Sequence, residues 1–345
     1  MIKRHGIRLA QILLLAVACT WTPHPSALEA HEGLMTKAPA ALRLAVMGVG
    51  PFPVSTVYSP MALERIADEI SRMRWALPGE TVWPVVEDIP LVETRQKEEF
   101  WHTAARGHTL QRLRQMYHLN TAALEALNPE LDLNNLQEGD RVLIWKRQPE
   151  RFAKSVGAAN GGRIIDAEPL PRGESYIVLY PHRAWGTFYT VSEIVRSMDA
   201  YAQRFPGSDP LIVGDISFRN GRAIHPHRSH QAGRDVDITY PRHRPPPNYN
   251  RFHHVRRDEL DVEKTLWLLK QFIAGGQIEY MFIDRYHQRT LYYEARRQGA
   301  PQEWLEAVFQ YPNHTGGTAT IRHARGHRKH FHVRFKCQPT DHRCQ

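Results

Sequence analysis

Two short stretches of this sequence concentrate side chains that bind metal ions. The first, HPHRSHQAGRDVDI at 225–238, contains three histidines and two aspartates, and the second, HRKHFHVRF at 327–335, adds three histidines. Imidazole nitrogens and carboxylate oxygens are ligands that Zn²⁺ accepts in catalytic sites, where three protein groups leave one coordination position for water. The two stretches therefore predict a catalytic metal site.

Both stretches have the alternating pattern of β-strands. In RDVDIT, Asp235 and Asp237 would share one face of a strand while the apolar residues beside them enter the core. The same alternation in HFHVRF places His330 and His332 on one face. His230 lies seven residues before Asp237, so these two residues and one histidine of the HxH pair could supply the three ligands.

A site of this kind also needs a group that carries a proton to the leaving amine. The sequence contains no HExxH motif and no carboxylate between Glu306 and Asp341, so a glutamate next to the second stretch cannot be that group. His327 or His330 is the natural substitute, because imidazole titrates near neutral pH. A simpler interpretation stays open, since many of the 20 histidines will be solvated or buried without a function and Asp235 could serve only to orient a ligand.

The elements that must position these residues are predicted in 175–345. Strands are predicted at 176–180, 211–213, 235–240, 280–283 and 330–335. Helices are predicted at 191–205, where Thr190 and Glu193 form a capping box, and at 262–273. This mixture predicts the α+β class, with a central antiparallel sheet and flanking helices.

A smaller unit is predicted at 98–147. The stretch GHTLQRLRQMYHL predicts a helix with Leu110, Leu113 and Tyr117 on one face. The stretch TAALEALNP predicts a second helix that ends before Pro129, and RVLIW predicts a strand. The βααβ order and the stretches GHTL, ALNPELDLNNL and QEGDRVLIW resemble the LysM module. That resemblance implies binding of glycan that contains N-acetylglucosamine, and a helical spacer without affinity for glycan is the alternative.

The rest of the chain is predicted to contain a leader and connecting segments. Three basic residues precede the apolar run at 12–19, which is too short to span a bilayer, so we expect a secretory signal peptide at 1–30. Cys19 ends this run and could carry a lipid anchor. We assign no function to 31–97, and the Gly, Ala and Pro content predicts a linker at 148–174. The expected location is periplasmic or exported, in association with the cell wall.

The net charge indicates the kind of partner, and the cysteines indicate a disulfide. The 45 Lys and Arg residues exceed the 36 Asp and Glu residues, and the formal net charge of +9 favours an anionic partner. Export makes an acidic wall polymer the leading candidate, and we recognise neither a nucleic-acid module nor a transmembrane segment in the sequence. Cys337 and Cys344 are predicted to form a disulfide, with a zinc site on two cysteines as the alternative.

The C-terminal half resembles a known family on SHQAGRDVDI and HRKHFHVRFKC. That family is the penicillin-insensitive murein endopeptidases, in the zinc peptidase group that includes lysostaphin, the D-alanyl-D-alanine peptidases and the sonic hedgehog fold. The resemblance covers 176–345, and GDIS at 214–217 and EWL at 303–305 also match. It implies a C-terminal zinc peptidase domain at 175–345.

The resemblance implies a role for most histidines of the two stretches. It implies that His230, Asp237 and His332 bind Zn²⁺. His227 matches a further histidine close to the metal, and Asp235 is expected beside the ligands without binding the ion.

The resemblance also implies that His327 and His330 take part in catalysis. We expect His327 to act as general base and acid and His330 to stabilise the developing oxyanion, and the reverse assignment stays open. Arg328 is expected to contact substrate, because the stem peptides are rich in carboxylates. The stretch 311–325 is longer than is usual in the family, and it either shapes the substrate groove or forms a lid.

The activity that the resemblance implies is hydrolysis of peptide cross-links in peptidoglycan, between D-alanine and meso-diaminopimelate. A D-alanyl-D-alanine carboxypeptidase is the first alternative, and a non-catalytic peptidoglycan-binding protein is the second.

Overall fold

The computed structural model describes residues 98–148, 150–313 and 318–345. The predicted signal peptide, Cys19 and 31–97 lie outside these described residues. Within them, no helix is long and apolar enough to cross a membrane.

The described residues form short helices and strands in a mixed order. The strands are β1 (Glu99–Thr103), β2 (Arg141–Lys146), β3 (Lys154–Val156), β4 (Arg163–Ile165), β5 (Glu168–Pro169), β6 (Tyr176–Val178), β7 (Trp185–Gly186), β8 (Leu211–Val213), β9 (Asp235–Thr239), β10 (Ile278–Ile283), β11 (Ile321–His323) and β12 (His330–Phe335). The α-helices are α1 (Leu110–Tyr117), α2 (Thr121–Leu127), α3 (Phe188–Arg204), α4 (Val262–Ala274), α5 (Arg285–Arg297) and α6 (Gln302–Val308). Single 3-10 turns lie at Leu133–Asn135 and Pro181–Arg183.

A six-stranded sheet organises the C-terminal region, in the order β11-β10-β12-β9-β8-β6. The α+β class is confirmed, but the prediction of an antiparallel sheet is wrong at both edges. The inner strands pair antiparallel, whereas β11 runs parallel to β10 and β6 runs parallel to β8. Helices separate β6 from β8 and β10 from β11 along the chain, and such long connections return a strand in the same direction.

The pairing of β9 with β12 sets the two faces of the sheet at its centre. His332 lies opposite Asp237, and Phe331 lies opposite Ile238. Phe331 and Ile238 are fully buried in the main core, together with Leu266 and Phe272 of α4. Because side chains alternate along a strand, the apolar face that binds α4 forces Asp237 and His332 onto the opposite face.

The first turn of α3 differs from its prediction. The helix begins at Phe188, and Thr187 rather than Thr190 is the N-cap, because the Thr187 hydroxyl accepts from the backbone N–H of Thr190. Glu193 does not complete a capping box: its carboxylate accepts from Arg196 at 2.8 Å. The predicted start at 191 is therefore three residues too late.

Residues 98–147 form the predicted strand, two helices and strand. β1 pairs antiparallel with β2. Thr109 caps α1 by accepting from the N–H of Arg112, and Asn120 caps α2 by accepting from the N–H of Ala123. Leu113 of α1 is fully buried, so the apolar face predicted from the sequence is the face that enters the core.

The predicted linker is an ordered part of the fold. It contains β3 to β5, and its Ile164 and Ala167 belong to the core cluster of the βααβ unit, in which Trp185 of β7 packs 5.3 Å from Phe100 between ring centroids. Its glycines serve a tight turn between β3 and β4: a Cβ at Gly162 would lie 2.4 Å from a carbonyl oxygen. The Gly and Ala content therefore reflects close backbone packing rather than flexibility.

The C-terminal disulfide between Cys337 and Cys344 is present, as predicted. The chain between the two cysteines holds β3 in place. Asp341 accepts from the N–H of Ser155 at 2.8 Å, and Gln338 donates to the carbonyl of Ala153 at 2.9 Å. The disulfide therefore closes a loop that holds the beginning of β3 against the C-terminus.

Replacement of Asn128 by alanine should destabilise the protein. The buried amide of Asn128 donates to the carbonyls of Leu124 and Leu143 and accepts from the N–H of Leu143, so it connects α2 to β2. Loss of these bonds leaves buried backbone groups unpaired and should cost about 2 kcal/mol of unfolding free energy. Thermal unfolding measures the effect, with exposed Asn134→Ala as the control, which should stay within about 0.5 kcal/mol. Equal melting of both variants would contradict this role.

Candidate metal centre

The carboxylate of Asp237 lies at the centre of the site. It is 1% exposed, and the nitrogens of four imidazoles surround its two oxygens. Oδ1 lies 3.4 Å from His230 Nε2 and 2.9 Å from His332 Nδ1, and Oδ2 lies 3.7 Å from His227 Nδ1 and 3.5 Å from His330 Nε2. Among the described residues no lysine or arginine forms an ion pair with it. A buried carboxylate requires positive charge beside it, and here that charge must come from a protonated imidazole or from a cation that the imidazoles bind.

His230 is held in one orientation by its backbone and by its own ring. Its φ of 66° lies in the left-handed region, and its N–H donates to Asp235 Oδ2 at 2.8 Å. Its Nδ1 lies 3.2 Å from the carbonyl oxygen of Ile216, and this contact assigns the proton to Nδ1. Nε2 is therefore the ring nitrogen that faces Asp237 and that could bind a metal ion. A strained backbone at this position is consistent with a functional constraint.

Asp215 orients His227, and the sequence analysis did not single it out. The carboxylate of Asp215 is buried at the end of β8, and its Oδ2 lies 3.0 Å from His227 Nε2 and 3.6 Å from Arg183. The hydrogen bond that His227 donates to Asp215 raises the pKa of His227 against the effect of burial. The signal for Asp215 in the sequence is the GDIS stretch, in which an acid follows an apolar strand, but that stretch does not indicate which residue the acid contacts.

Three residues of the site form a compact group of potential ligands. His227, His230 and Asp237 each offer one atom, and these atoms lie within 4.8 Å of one another. Two imidazole nitrogens and one carboxylate oxygen fit the donors that catalytic zinc uses. The structure therefore contains a possible metal-binding group, and His227, which we had placed beside the metal, belongs to it.

His332, the third predicted ligand, lies between two carboxylates. Its Nδ1 faces Asp237, and its Nε2 lies 3.1 Å from Asp235 Oδ1. Burial alone would lower the pKa of His332, but the hydrogen bonds and charges of Asp235 and Asp237 raise it to about 9. The structure thus brings His230, Asp237 and His332 together and directs the His332 nitrogens toward the acids.

Asp235 connects the ligands to each other. Burial opposes its charge, but the hydrogen bond and charge of His332, followed by the charges of His230 and Arg334, hold its pKa well below the usual range. Arg334 donates to both of its oxygens, at 2.7 and 3.1 Å. Since one arginine balances Asp235, the acid is free to orient His332 and the backbone of His230, which agrees with a positioning role.

The histidines expected to act in catalysis border the same centre. The ring centroids of His327 and His330 lie 5.0 Å apart. Burial lowers the pKa of both residues, that of His330 to about 4. His327 Nδ1 lies 3.2 Å from the carbonyl oxygens of Ala324 and Arg325, which leaves Nε2 unprotonated.

Two further contacts complete the surroundings of these histidines. His330 stacks on Phe252 with ring centroids 4.9 Å apart, and its Nδ1 is buried without a hydrogen-bond partner among the described residues. Arg328, the expected substrate contact, is about half exposed and lies 3.4 Å from Asp284. Arg328 therefore lies beside the centre without touching the acids at its middle.

Comparison with known proteins identifies the class. Residues 155–274 match the family model described as penicillin-insensitive murein endopeptidase. Curated proteins of that name are similar to this chain. The protein of Escherichia coli O9:H4 (strain HS) is 25% identical over 211 residues, 56% of this chain and 70% of the relative. The protein of Pectobacterium atrosepticum is 26% identical over 211 residues, which cover 56% of this chain and 68% of the relative. The protein of Yersinia enterocolitica is 28% identical over 208 residues, which cover 54% of this chain and 67% of the relative.

The His/Asp centre is a potential metal site. Through residues 155–274 the chain is similar to the penicillin-insensitive murein endopeptidases. The matched residues include His227, His230 and Asp237, whereas the stretch at 327–335 lies after them.

Replacement of Asp215 by asparagine should weaken metal binding without removing a ligand. Asparagine keeps the shape of the side chain but loses the charge that holds His227, and loss of such a partner typically costs 10-fold to 100-fold in metal affinity. Competition with a chelator measures the affinity for Zn²⁺. Asp258→Asn is the matched control, because the Asp258 side chain is 70% exposed. Unchanged affinity in Asp215→Asn would show that His227 needs no such support.

Proposed function

We propose that this protein is an exported, zinc-dependent murein endopeptidase. The observation that carries the proposal is the buried Asp237 carboxylate with four imidazoles around it, and Asp237 lies in the region that matches the murein endopeptidase family model. Such a centre has more nitrogen ligands than a structural ion pair needs and the donors that a divalent ion accepts.

The proposed ligands are His230, Asp237 and His332, with His227 as a further donor. A zinc ion bound by them would lower the pKa of a water molecule from about 15.7 to about 7 and polarise the scissile carbonyl. Asp235 and Asp215 would hold the rings of His332 and His227 in place through the hydrogen bonds described above.

His327 and His330 are the proposed catalytic residues. With Nδ1 committed to two backbone carbonyls, His327 has its Nε2 available to take a proton from water and return it to the leaving amine. His330, held against Phe252, would then donate to the developing oxyanion. In the reverse assignment, His330 takes and returns the proton and His327 donates to the oxyanion.

Peptidoglycan is the proposed substrate, and the proposed bond joins D-alanine to meso-diaminopimelate in its cross-links. We further propose that 98–147, with its βααβ order, binds the glycan strand. Because this unit shares its core with Trp185 of the peptidase region, its binding is best measured on the full chain. An exported location, a signal peptide at 1–30 and a lipid anchor at Cys19 complete the proposal.

Cleavage of cross-linked muropeptide dimers tests this function. The purified chain should convert dimers to monomers, and removal of Zn²⁺ with a chelator should abolish the conversion until zinc is restored. His230→Ala should lose both bound zinc and cleavage, because it removes a ligand nitrogen at the centre. His243→Ala, whose side chain is 59% exposed, should keep both. Elemental analysis and chromatography of the muropeptides provide the two measurements.

Two other outcomes correspond to the alternative functions. Removal of a terminal D-alanine from the stems without loss of dimer would indicate a carboxypeptidase. Normal binding to wall sacculi without any hydrolysis in the presence of zinc would indicate a peptidoglycan-binding protein. Either outcome would contradict the endopeptidase.

A further inference from the structure

A cleft beside the catalytic histidines has an unusual concentration of positive charge. Its volume is about 890 Å³, and its walls come from the start of α5, the segment around 254–257, residues 311–312 and the loop 323–328. Among the described residues, five arginines and one aspartate line it, an excess of four positive charges: Arg257, Arg285, Arg289, Arg325, Arg328 and Asp284. This loop also carries His327, so the cleft and the metal centre share a wall.

Aromatic rings, rather than carboxylates, hold most of these arginines together. The guanidinium carbons of Arg257 and Arg328 lie 4.3 and 4.7 Å from the ring centroid of Tyr286, and that of Arg285 lies 5.1 Å from the ring centroid of Tyr311. Cation–π contact fixes a guanidinium without cancelling its charge. The cleft therefore keeps a positive potential that an anion would stabilise.

Hydrogen bonds to backbone carbonyls hold the Arg285 side chain in place in the wall of the cleft. Arg285 donates to the carbonyl of Asn313 at 2.7 Å and to that of Pro312, which ties the start of α5 to the segment at 311–313. Asp284 caps α5 by accepting from the N–H of Tyr286, and it is the carboxylate that pairs with Arg328. Asp284, the one carboxylate among the described lining residues, therefore already has the N–H of Tyr286 and Arg328 as partners.

Arg289 and Arg325 face the cleft with their charges available. Both are exposed, and within the described residues neither forms an ion pair with a carboxylate. Arg289 lies one helical turn after Arg285, on the same face of α5, and Arg325 lies two residues before His327. These two guanidinium groups, one on α5 and one on the loop before His327, can each take a carboxylate through paired hydrogen bonds.

We propose that this cleft binds the free carboxylates of the peptide stems and makes the enzyme selective for acidic over amidated cross-links. The proposal rests on the proposed function and adds its substrate specificity. Arg289 and Arg325 are the specificity residues, while Arg257, Arg285 and Arg328 supply the surrounding potential. Because the loop with Arg325 also carries His327, a stem bound in the cleft is held next to the reacting bond.

The first test compares two substrates and two variants. Muropeptide dimers with free carboxylates and the same dimers with amidated carboxylates are digested by the wild type, by Arg289→Gln/Arg325→Gln and by Arg296→Gln. Arg296 is an exposed arginine of the same helix that does not line the cleft. The wild type and Arg296→Gln should cleave the acidic dimer with about tenfold higher kcat/KM, mainly through KM.

The double variant should lose that preference while keeping kcat. Its kcat/KM on the acidic dimer should fall to the value that the wild type has on the amidated dimer. Retention of the full preference by the double variant would overturn the proposal, as would an equal preference for both dimers by the wild type.

The second test separates this proposal from the proposed function. Calorimetry measures the binding of a muropeptide monomer, with free or amidated carboxylates, to the full chain that carries His230→Ala. The acidic monomer should bind about tenfold more tightly, and the addition of Arg289→Gln/Arg325→Gln should remove the difference. A preference in binding without cleavage of any dimer by the wild type would overturn the endopeptidase and support the cleft. Equal binding of both monomers would overturn the cleft even where dimers are cleaved.

Discussion

The antiparallel pairing of β9 with β12 is the constraint on which the rest of the site depends. Its register places Asp237 opposite His332 and Asp235 opposite Arg334. The apolar residues between them are buried against α4, and a shift of one residue would turn every polar side chain of both strands into the core. The free energy of core burial therefore also determines the positions of the buried charges.

The two aspartates of β9 are buried to the same degree but have different partners. Arg334 donates to both oxygens of Asp235, so that acid has a permanent counter-charge. Among the described residues only imidazoles form ion pairs with Asp237, so its counter-charge must come from their protonation or from a bound cation. This difference separates an acid that orients its neighbours from one that is suited to bind a metal ion, although the two alternate in one short strand.

The βααβ unit and the peptidase region are joined more closely than a tethered binding module would be. Trp185 is fully buried against Phe100 and Tyr117, and Ile164 extends the same cluster. A flexible linker would leave such surfaces exposed to water, at a cost that grows with the apolar area. In this protein the first unit shares its core with Ile164 of β4 and Trp185 of β7, so packing restricts its orientation relative to these strands.

The sequence by itself determined the α+β class, the βααβ order, the strands of the two histidine stretches and the disulfide. Each depends on local information: alternation, helix caps and the types of ligand side chains. Three features needed the tertiary structure: the parallel edges of the sheet, the order in the predicted linker, and α5, whose sequence RYHQRTLYYEARR has too few apolar residues for a clear pattern. The role of Asp215 likewise became visible only in three dimensions, because it contacts His227 from the end of another strand. Such features result from contacts between residues far apart in the chain, and no short-range pattern encodes them.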